Sequence, residues 1–268
     1  MANVLIAKPE FSDGGTITSA TSELTNNPAT NLQDAQITKT WQASTGVSTV
    51  TITVNHGSAV TWQLAAMLGT NFPSTTKLRL RAASTAASVT AGPALTTTIT
   101  FWPAGASTSW DKVNGFILLA SAVNYQHLDL TVSTTASMVA SLGFSAGRLY
   151  VSPIFQPAKN AEFGMSLGWA DDSRPSRTLG GQTYIQTRPT FRFADLVFSF
   201  LTEAEAIGTA LDFDRLKGTS SDLLFILDAD ETSYLHQFIV YGRIRETTPV
   251  SWSGHGIFEK TYRIEELL

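Results

Sequence analysis

The sequence predicts an all-β protein in two β-rich domains, the second carrying a single α-helix, and three observations lead there. Only 15% of the 268 residues are charged while 43% are hydrophobic, and Thr and Ser are abundant; this mixture suits strands and polar loops better than helices, whose surfaces usually carry Lys and Glu. Apolar residues alternate with polar ones at period two along the first half. Charge is also unevenly spread, with 13 charged residues in 1–152 and 27 in 153–268. That shift places a junction near Ser152-Pro153, giving domains 1–152 and 153–268.

In the first domain Val50, Ile52 and Val54 alternate with Thr49, Thr51 and Thr53, so this strand should present one apolar and one hydroxyl-bearing face before a turn at Asn55-His56-Gly57. Leu78 and Leu80 alternate with Lys77, Arg79 and Arg81. Leu95, Ile99 and Phe101 sit among threonines, and Leu128, Leu130 and Val132 alternate with Asp129 and Thr131. These read as half-buried antiparallel strands of a sandwich. The stretches Ala82 to Thr98 and Ser133 to Ser141 lack a helical stripe and read as surface loops and short edge strands. Residues 28 to 36 have room for one short helical turn, with Asn31 as its candidate cap.

The second domain opens on a loop with Asp171-Asp172 and Gly180-Gly181, where Arg174 and Arg177 are expected to pair with the two acids. Phe191 and Phe193, then Leu196, Phe198 and Phe200, imply strands interrupted by a bulge or turn near Asp195. One helix is predicted over about 203–217. Thr202 and Glu205 have capping-box spacing, Ala206, Ile207, Ala210 and Leu211 keep helical spacing, and Gly218 is placed to end it. Strands resume at Leu223 to Leu227, Phe238 to Ile244 and Phe258 to Ile264.

Composition narrows the function. A net charge of −4 and a pI near 5.5 leave no broad electropositive face for phosphates, so no nucleic-acid partner is expected. The absence of cysteine excludes disulfides, thiolate metal sites and a Cys nucleophile. No apolar run reaches membrane-spanning length and the N-terminus lacks a signal-peptide pattern, so synthesis in a cytoplasm without membrane insertion is expected. His56, His127, His236 and His255 have no ligand spacing and read as surface or edge residues. Asp228-Ala-Asp230-Glu231 lacks the rest of a calcium loop and reads as a solvated hairpin turn. No nucleophile elbow, phosphate cradle or singled-out acid pair occurs. Accordingly no catalytic residue, cofactor or metal ligand is nominated, and the protein is read as not an enzyme.

The tryptophans remain. Trp41 and Trp62 flank strands and read as core. Trp102 and Trp110 bracket the loop Pro103-Ala-Gly-Ala-Ser-Thr-Ser and are the candidate contacts for a ligand or partner, since a large flat ring is buried at low entropic cost.

The stretch Asn27-Pro-Ala-Thr-Asn-Leu-Gln-Asp through Lys39-Thr-Trp41-Gln-Ala-Ser, then Thr49-Val-Thr-Ile-Thr-Val-Asn-His-Gly, resembles the opening of discoidin-like (F5/8 type C-like) jelly-roll domains, with Lys77-Leu-Arg-Leu-Arg-Ala as a further recurring strand. The resemblance implies a jelly-roll β-sandwich over about 15–152. The order of elements in the second half resembles phage distal and minor tail proteins: the Arg/Phe-rich strand, the capped helix ending at Lys217-Gly218, Asp222-Leu-Leu-Phe-Ile-Leu-Asp, Tyr241-Gly242-Arg-Ile and Tyr262-Arg-Ile-Glu-Glu. It implies a β-barrel or sandwich and a structural role in the tail tip or baseplate of a virion. The expected partners are further copies in a ring and other phage tail proteins, linking tail tube to tip. The alternative implied is a carbohydrate-binding module that recognises a host surface glycan.

Overall fold

The computed structural model describes residues 3–107, 112–135, 143–162 and 164–268. Strands are the main regular structure of the chain, which divides into two compact units. The first comprises 1–156 together with 224–239, and the second 157–223 with 240–268.

The first unit contains β1 (Leu5–Ala7), α1 (Glu10–Gly14), β2 (Thr16–Ala20), a 3-10 turn (Ala29–Gln33), β3 (Trp41–Gln42), β4 (Thr49–Thr70), β5 (Lys77–Ala83), α2 (Ala86–Ala91), β6 (Leu95–Thr100), β7 (Val113–Ser133), β8 (Ser145–Ala146), β9 (Arg148–Ser152) and β10 (Ile154–Phe155). Its main sheet runs β2-β4-β7-β5-β6, with β9 added to the far half of β4. The period-two pattern gives the core: Val50, Ile52, Val54, Leu78, Leu80, Leu128, Leu130 and Val132 are buried on one face, and Trp41 and Trp62 are buried with them. Each such aliphatic side chain contributes about 1.5–3 kcal/mol by leaving water. On the opposite face the hydroxyls of Thr51 and Thr131 meet at 3.1 Å, and Asp129 accepts from Thr53 Oγ1 at 2.7 Å and from Arg81 at 3.1 Å.

Four local expectations change. The chain does not turn at Asn55-His56-Gly57: β4 continues to Thr70, absorbing the left-handed Gly57 (φ +83°) in a register shift against β7 between Asn55 and Val60. Within Ala82 to Thr98, a short helix α2 forms where Thr85 Oγ1 accepts the Ser88 N–H at 3.2 Å, a cap with no apolar stripe behind it. The turn near residue 30 has Pro28 at its N-terminal boundary, and Asn31 instead donates its side-chain amide to Thr40 O at 3.0 Å. His127 and His236 are buried rather than at the surface.

The reading of 153–268 as one continuous body is modified by an excursion. In β15 (Leu223–Ile226), Leu224, Phe225 and Ile226 pair with β1, which on its other side pairs with β10. After the Asp228 to Glu231 turn the short α4 (Leu235–Phe238) closes the excursion, and Leu227 N–H donates to Phe238 O at 3.0 Å.

The second unit contains β11 (Ser166–Ala170), β12 (Arg174–Arg177), β13 (Thr183–Gln186), β14 (Phe191–Leu201), a π-helical segment (Ala204–Ala210) continuing as α3 (Leu211–Lys217), β16 (Ile239–Glu246), β17 (Ser251–Gly254) and β18 (Ile257–Glu266). Strand β14 pairs with β11 on one side and β18 on the other, and β18 also pairs with β16 and β17. The predicted helix is present, ending at Gly218 (φ +51°), although its first half is wound as π. No turn occurs at Asp195. Strand β14 is continuous, so Ala194, Leu196 and Phe198 face inward while Phe191, Phe193 and Asp195 take the other face, and the register shift lies between Phe198 and Leu201. Arg192 also points inward, where Glu266 accepts from its Nε at 2.9 Å and from its backbone N–H at 2.8 Å.

Candidate functional site

Among the described residues no group of three or more His, Cys, Asp or Glu is arranged to hold a metal ion, and no helix is long and apolar enough to cross a membrane. The carboxylates singled out in the sequence are occupied by nearby backbone. Asp228 Oδ1 accepts the Asp230 N–H at 3.0 Å, and Glu231 Oε1 accepts from Ser233 at 2.7 Å and Tyr234 at 3.2 Å. Such contacts hold a turn. What the molecule offers is surface, and it does so in three places.

The first is the loop end of the first unit that carries Trp102. Its ring is half-buried against the core, and its indole N–H donates to Phe72 O at 2.7 Å. The polar edge that would orient a sugar or a partner is therefore already committed. Trp110 lies outside the described residues. Beside Trp102, the loop Pro103 to Ser107 is held against the 224–239 excursion: His236 N–H donates to Ala104 O at 2.9 Å, and left-handed Gly105 lies so close that a Cβ there would meet Ser233 O at 2.6 Å. Tyr234, whose backbone meets this loop at Gly105, is exposed, 65% accessible. Tyr234 could not be nominated from sequence, because its place against Gly105 depends on the pairing of Leu224 to Ile226 with Leu5 to Ala7, more than 200 positions earlier.

The second surface is the β12–β13 hairpin. Residues 174–190 are exposed throughout. Its four pairs run from Arg174 opposite Gln186 to Arg177 opposite Thr183, and Gly181 (φ +81°) closes the turn. Leu179 stands fully in solvent at the tip, with Tyr184 and Ile185 exposed on the strand. Arg174 and Arg177, expected to pair with Asp171 and Asp172, form no ion pair among the described residues. Asp171 Oδ1 instead accepts the Ser173 N–H at 2.8 Å, and the Ser173 hydroxyl, with this N–H adding, holds its pKa below the ordinary carboxylate range.

The third is a groove on the outer face of the second unit's sheet, about 430 Å³, lined by Asp172, Phe191, Phe193, Asp195, Arg245 and Arg263 among others. Gly168 makes room for one of its rings. A Cβ there would lie 2.7 Å from Phe193 Cζ, so the missing side chain lets that ring lie across β11.

No protein-family model matches the chain, and no curated protein matches it. Solved structures do. The family 32 CBM from C. perfringens NanJ in complex with galactose is 21% identical, with a TM-score of 0.37, over 55% of this chain and 98% of its own. A chitosan-binding module 1 from a chitosanase/glucanase of Paenibacillus sp. IK-5 is 18% identical, with a TM-score of 0.37, over 50% of this chain and 91% of its own. The CBM32-3 of a family 31 glycoside hydrolase from Clostridium perfringens is 17% identical, with a TM-score of 0.40, over 55% of this chain and 94% of its own.

Proposed function

We propose that this chain is a non-enzymatic structural protein that works by assembly, of the kind found in the tail tip or baseplate of a tailed phage, where its copies would form a ring with other tail proteins. The observation that supports this most is the β12–β13 hairpin, an arm exposed throughout and bearing Leu179, Tyr184 and Ile185. A bare two-stranded ribbon is marginal in water, and its open edges and apolar side chains invite pairing with another chain. A covered arm gains stability that the isolated chain lacks. The element order of the second half supports the tail-tip form of this reading, in which the protein resides in the virion. Mass photometry over a wide concentration range, with mass spectrometry of purified particles, tests it. An assembled or particle-bound state is the expected result; a monomer at every concentration that is also missing from particles would refute it.

A second reading, recognition of a host surface glycan, is favoured by Tyr234, which is exposed and whose backbone lies against Gly105 in the loop that follows Trp102. An aromatic face in that position can stack on a sugar ring. Tyr234→Ala should abolish retention on a glycan array; retention by the variant, or silence of the wild-type protein across the array, rejects it.

A further inference from the structure

We propose that the β12–β13 arm of one copy docks in the groove over Phe191 and Phe193 of a second copy. The inference rests on the assembly reading and names the partner of the arm.

The first support is charge. Between 173 and 190 the sequence holds Arg174, Arg177 and Arg188 and no acidic residue. None of the three forms an ion pair among the described residues, and all are exposed. The groove is lined by the carboxylates of Asp172, Asp195 and Glu265 and by the guanidinium groups of Arg245 and Arg263, an excess of one acid; Arg263 is engaged by Glu246 and Glu265 by Arg243, while Asp172 and Asp195 are without an ion pair among the described residues. A surplus of guanidinium on one patch and of carboxylate on another, within one chain, is complementary only between copies or by folding back. Arg and carboxylate pair strongly when two N–H groups meet two oxygens, which fixes register as well as affinity.

The second support is apolar. The arm's Leu179, Tyr184 and Ile185 lack cover, and the groove exposes parts of Phe191 and Phe193 between its charged rims. Another groove of the second unit, about 520 Å³ beside Ile207 and Leu211, fits the arm less well. Its acids are already engaged, Asp212 by Arg215 at 3.0 Å and Asp214 by Lys260.

Folding back is disfavoured by the arm itself. Leu179 at the tip is fully exposed, and the six residues from Ser173 onward reach about 20 Å when extended. Arm and groove are different patches, so the contact is head-to-tail. Repeated with rotation, such a contact closes into a ring or continues as a filament.

Sedimentation velocity on the full chain tests this with charge reversal. Arg174→Glu/Arg177→Glu and Asp172→Arg/Asp195→Arg should each weaken self-association at least tenfold. Mixing the two variants should restore it through the reversed pair. Circular dichroism and thermal melting of both must match wild type; if either unfolds, Arg174→Gln/Arg177→Gln and Asp172→Asn/Asp195→Asn serve instead, with association weakened and not restored by mixing. Undiminished assembly by both variants overturns the docking while leaving the assembly reading intact. Loss of particle incorporation with self-association unchanged also overturns it, since the arm would then meet a different protein. A wild-type chain that neither self-associates nor enters particles removes both ideas.

Discussion

Arg148, wholly buried in β9, donates from Nη2 to Asp13 Oδ2 on α1 at 2.8 Å. The pair joins residues 135 positions apart within the first unit. Its guanidinium also lies 5.9 Å from the Tyr150 ring and 3.5 Å from Leu32 O. Removing one member of a buried pair leaves the other desolvated and uncompensated. Asp13 is partly exposed, so the cost should fall at the lower end of the usual range: Asp13→Ala is expected to destabilise the first unit by about 3 kcal/mol. Arg148→Met, which keeps the volume and removes the charge, should cost clearly less. Urea unfolding followed by the fluorescence of the buried Trp41 and Trp62 measures both, and equal losses would contradict the assignment.

Trp102 and Tyr234 should separate stability from recognition. Trp102→Phe removes the indole N–H from Phe72 O and is expected to cost about 1 kcal/mol. Tyr234→Ala removes an exposed side chain with little packing and should leave stability within about 0.5 kcal/mol of wild type. Thermal melting of the two variants checks this, and a large loss for Tyr234→Ala would mean that the ring is structural.

Much of the first unit was legible because its strands are half-buried. Val50, Ile52 and Val54, or Leu78 and Leu80, betray their faces by simple alternation, and the same pattern made Trp41 and Trp62 readable as core. The Thr202 and Glu205 spacing likewise announced the helix, because a capping box is local chemistry. What was hidden depended on distant partners. Phe191 and Phe193 suggested a strand broken near Asp195, whereas β14 is continuous, and inward-facing Arg192 is tolerated only because Glu266, 74 positions later, meets it. The pairing of Leu224 to Ile226 with β1, which brings Tyr234 against Gly105, leaves no periodic trace. The exposed arm was legible only as a Gly- and Arg-containing loop.

Lys260 is buried in β18, with Asp214 and Thr248 O as its partners and the Tyr262 ring 5.2 Å from its Nζ. Asp214→Ala should destabilise the second unit by about 3–5 kcal/mol, whereas Lys260→Met/Asp214→Leu should come close to neutral. The Tyr262 hydroxyl has no hydrogen-bond partner among the described residues, and burial, with the Asp214 charge adding, pushes its pKa well above the ordinary phenol value. An unfolded tyrosine ionises near pH 10. Above that pH the unfolded state binds fewer protons at this site than the folded one, so stability falls as pH rises. Tyr262→Phe should match wild type at pH 7 and exceed it in melting temperature above about pH 10; no divergence between the two curves would show that the hydroxyl ionises freely in the folded state.

The opposite pH dependence is expected at the start of the helix. Glu205 accepts from Thr202 N–H at 2.9 Å, from Thr202 Oγ1 at 2.8 Å and from Ala158 N–H at 2.7 Å. Burial raises its pKa, but these hydrogen bonds outweigh it and hold the carboxyl below its ordinary value. A carboxylate with a depressed folded pKa contributes stability that is fully present above the unfolded value and disappears as pH falls through the folded one. Glu205→Gln should therefore destabilise the second unit by about 1 kcal/mol at pH 7, as loss of a charged cap does. The gap should narrow below the ordinary Glu pKa of about 4.3 and close once the wild-type carboxyl is protonated. Chemical denaturation of the two proteins from pH 7 down to the edge of acid unfolding measures it, and a gap that stays constant with pH would show that the Glu205 charge does not carry the cap.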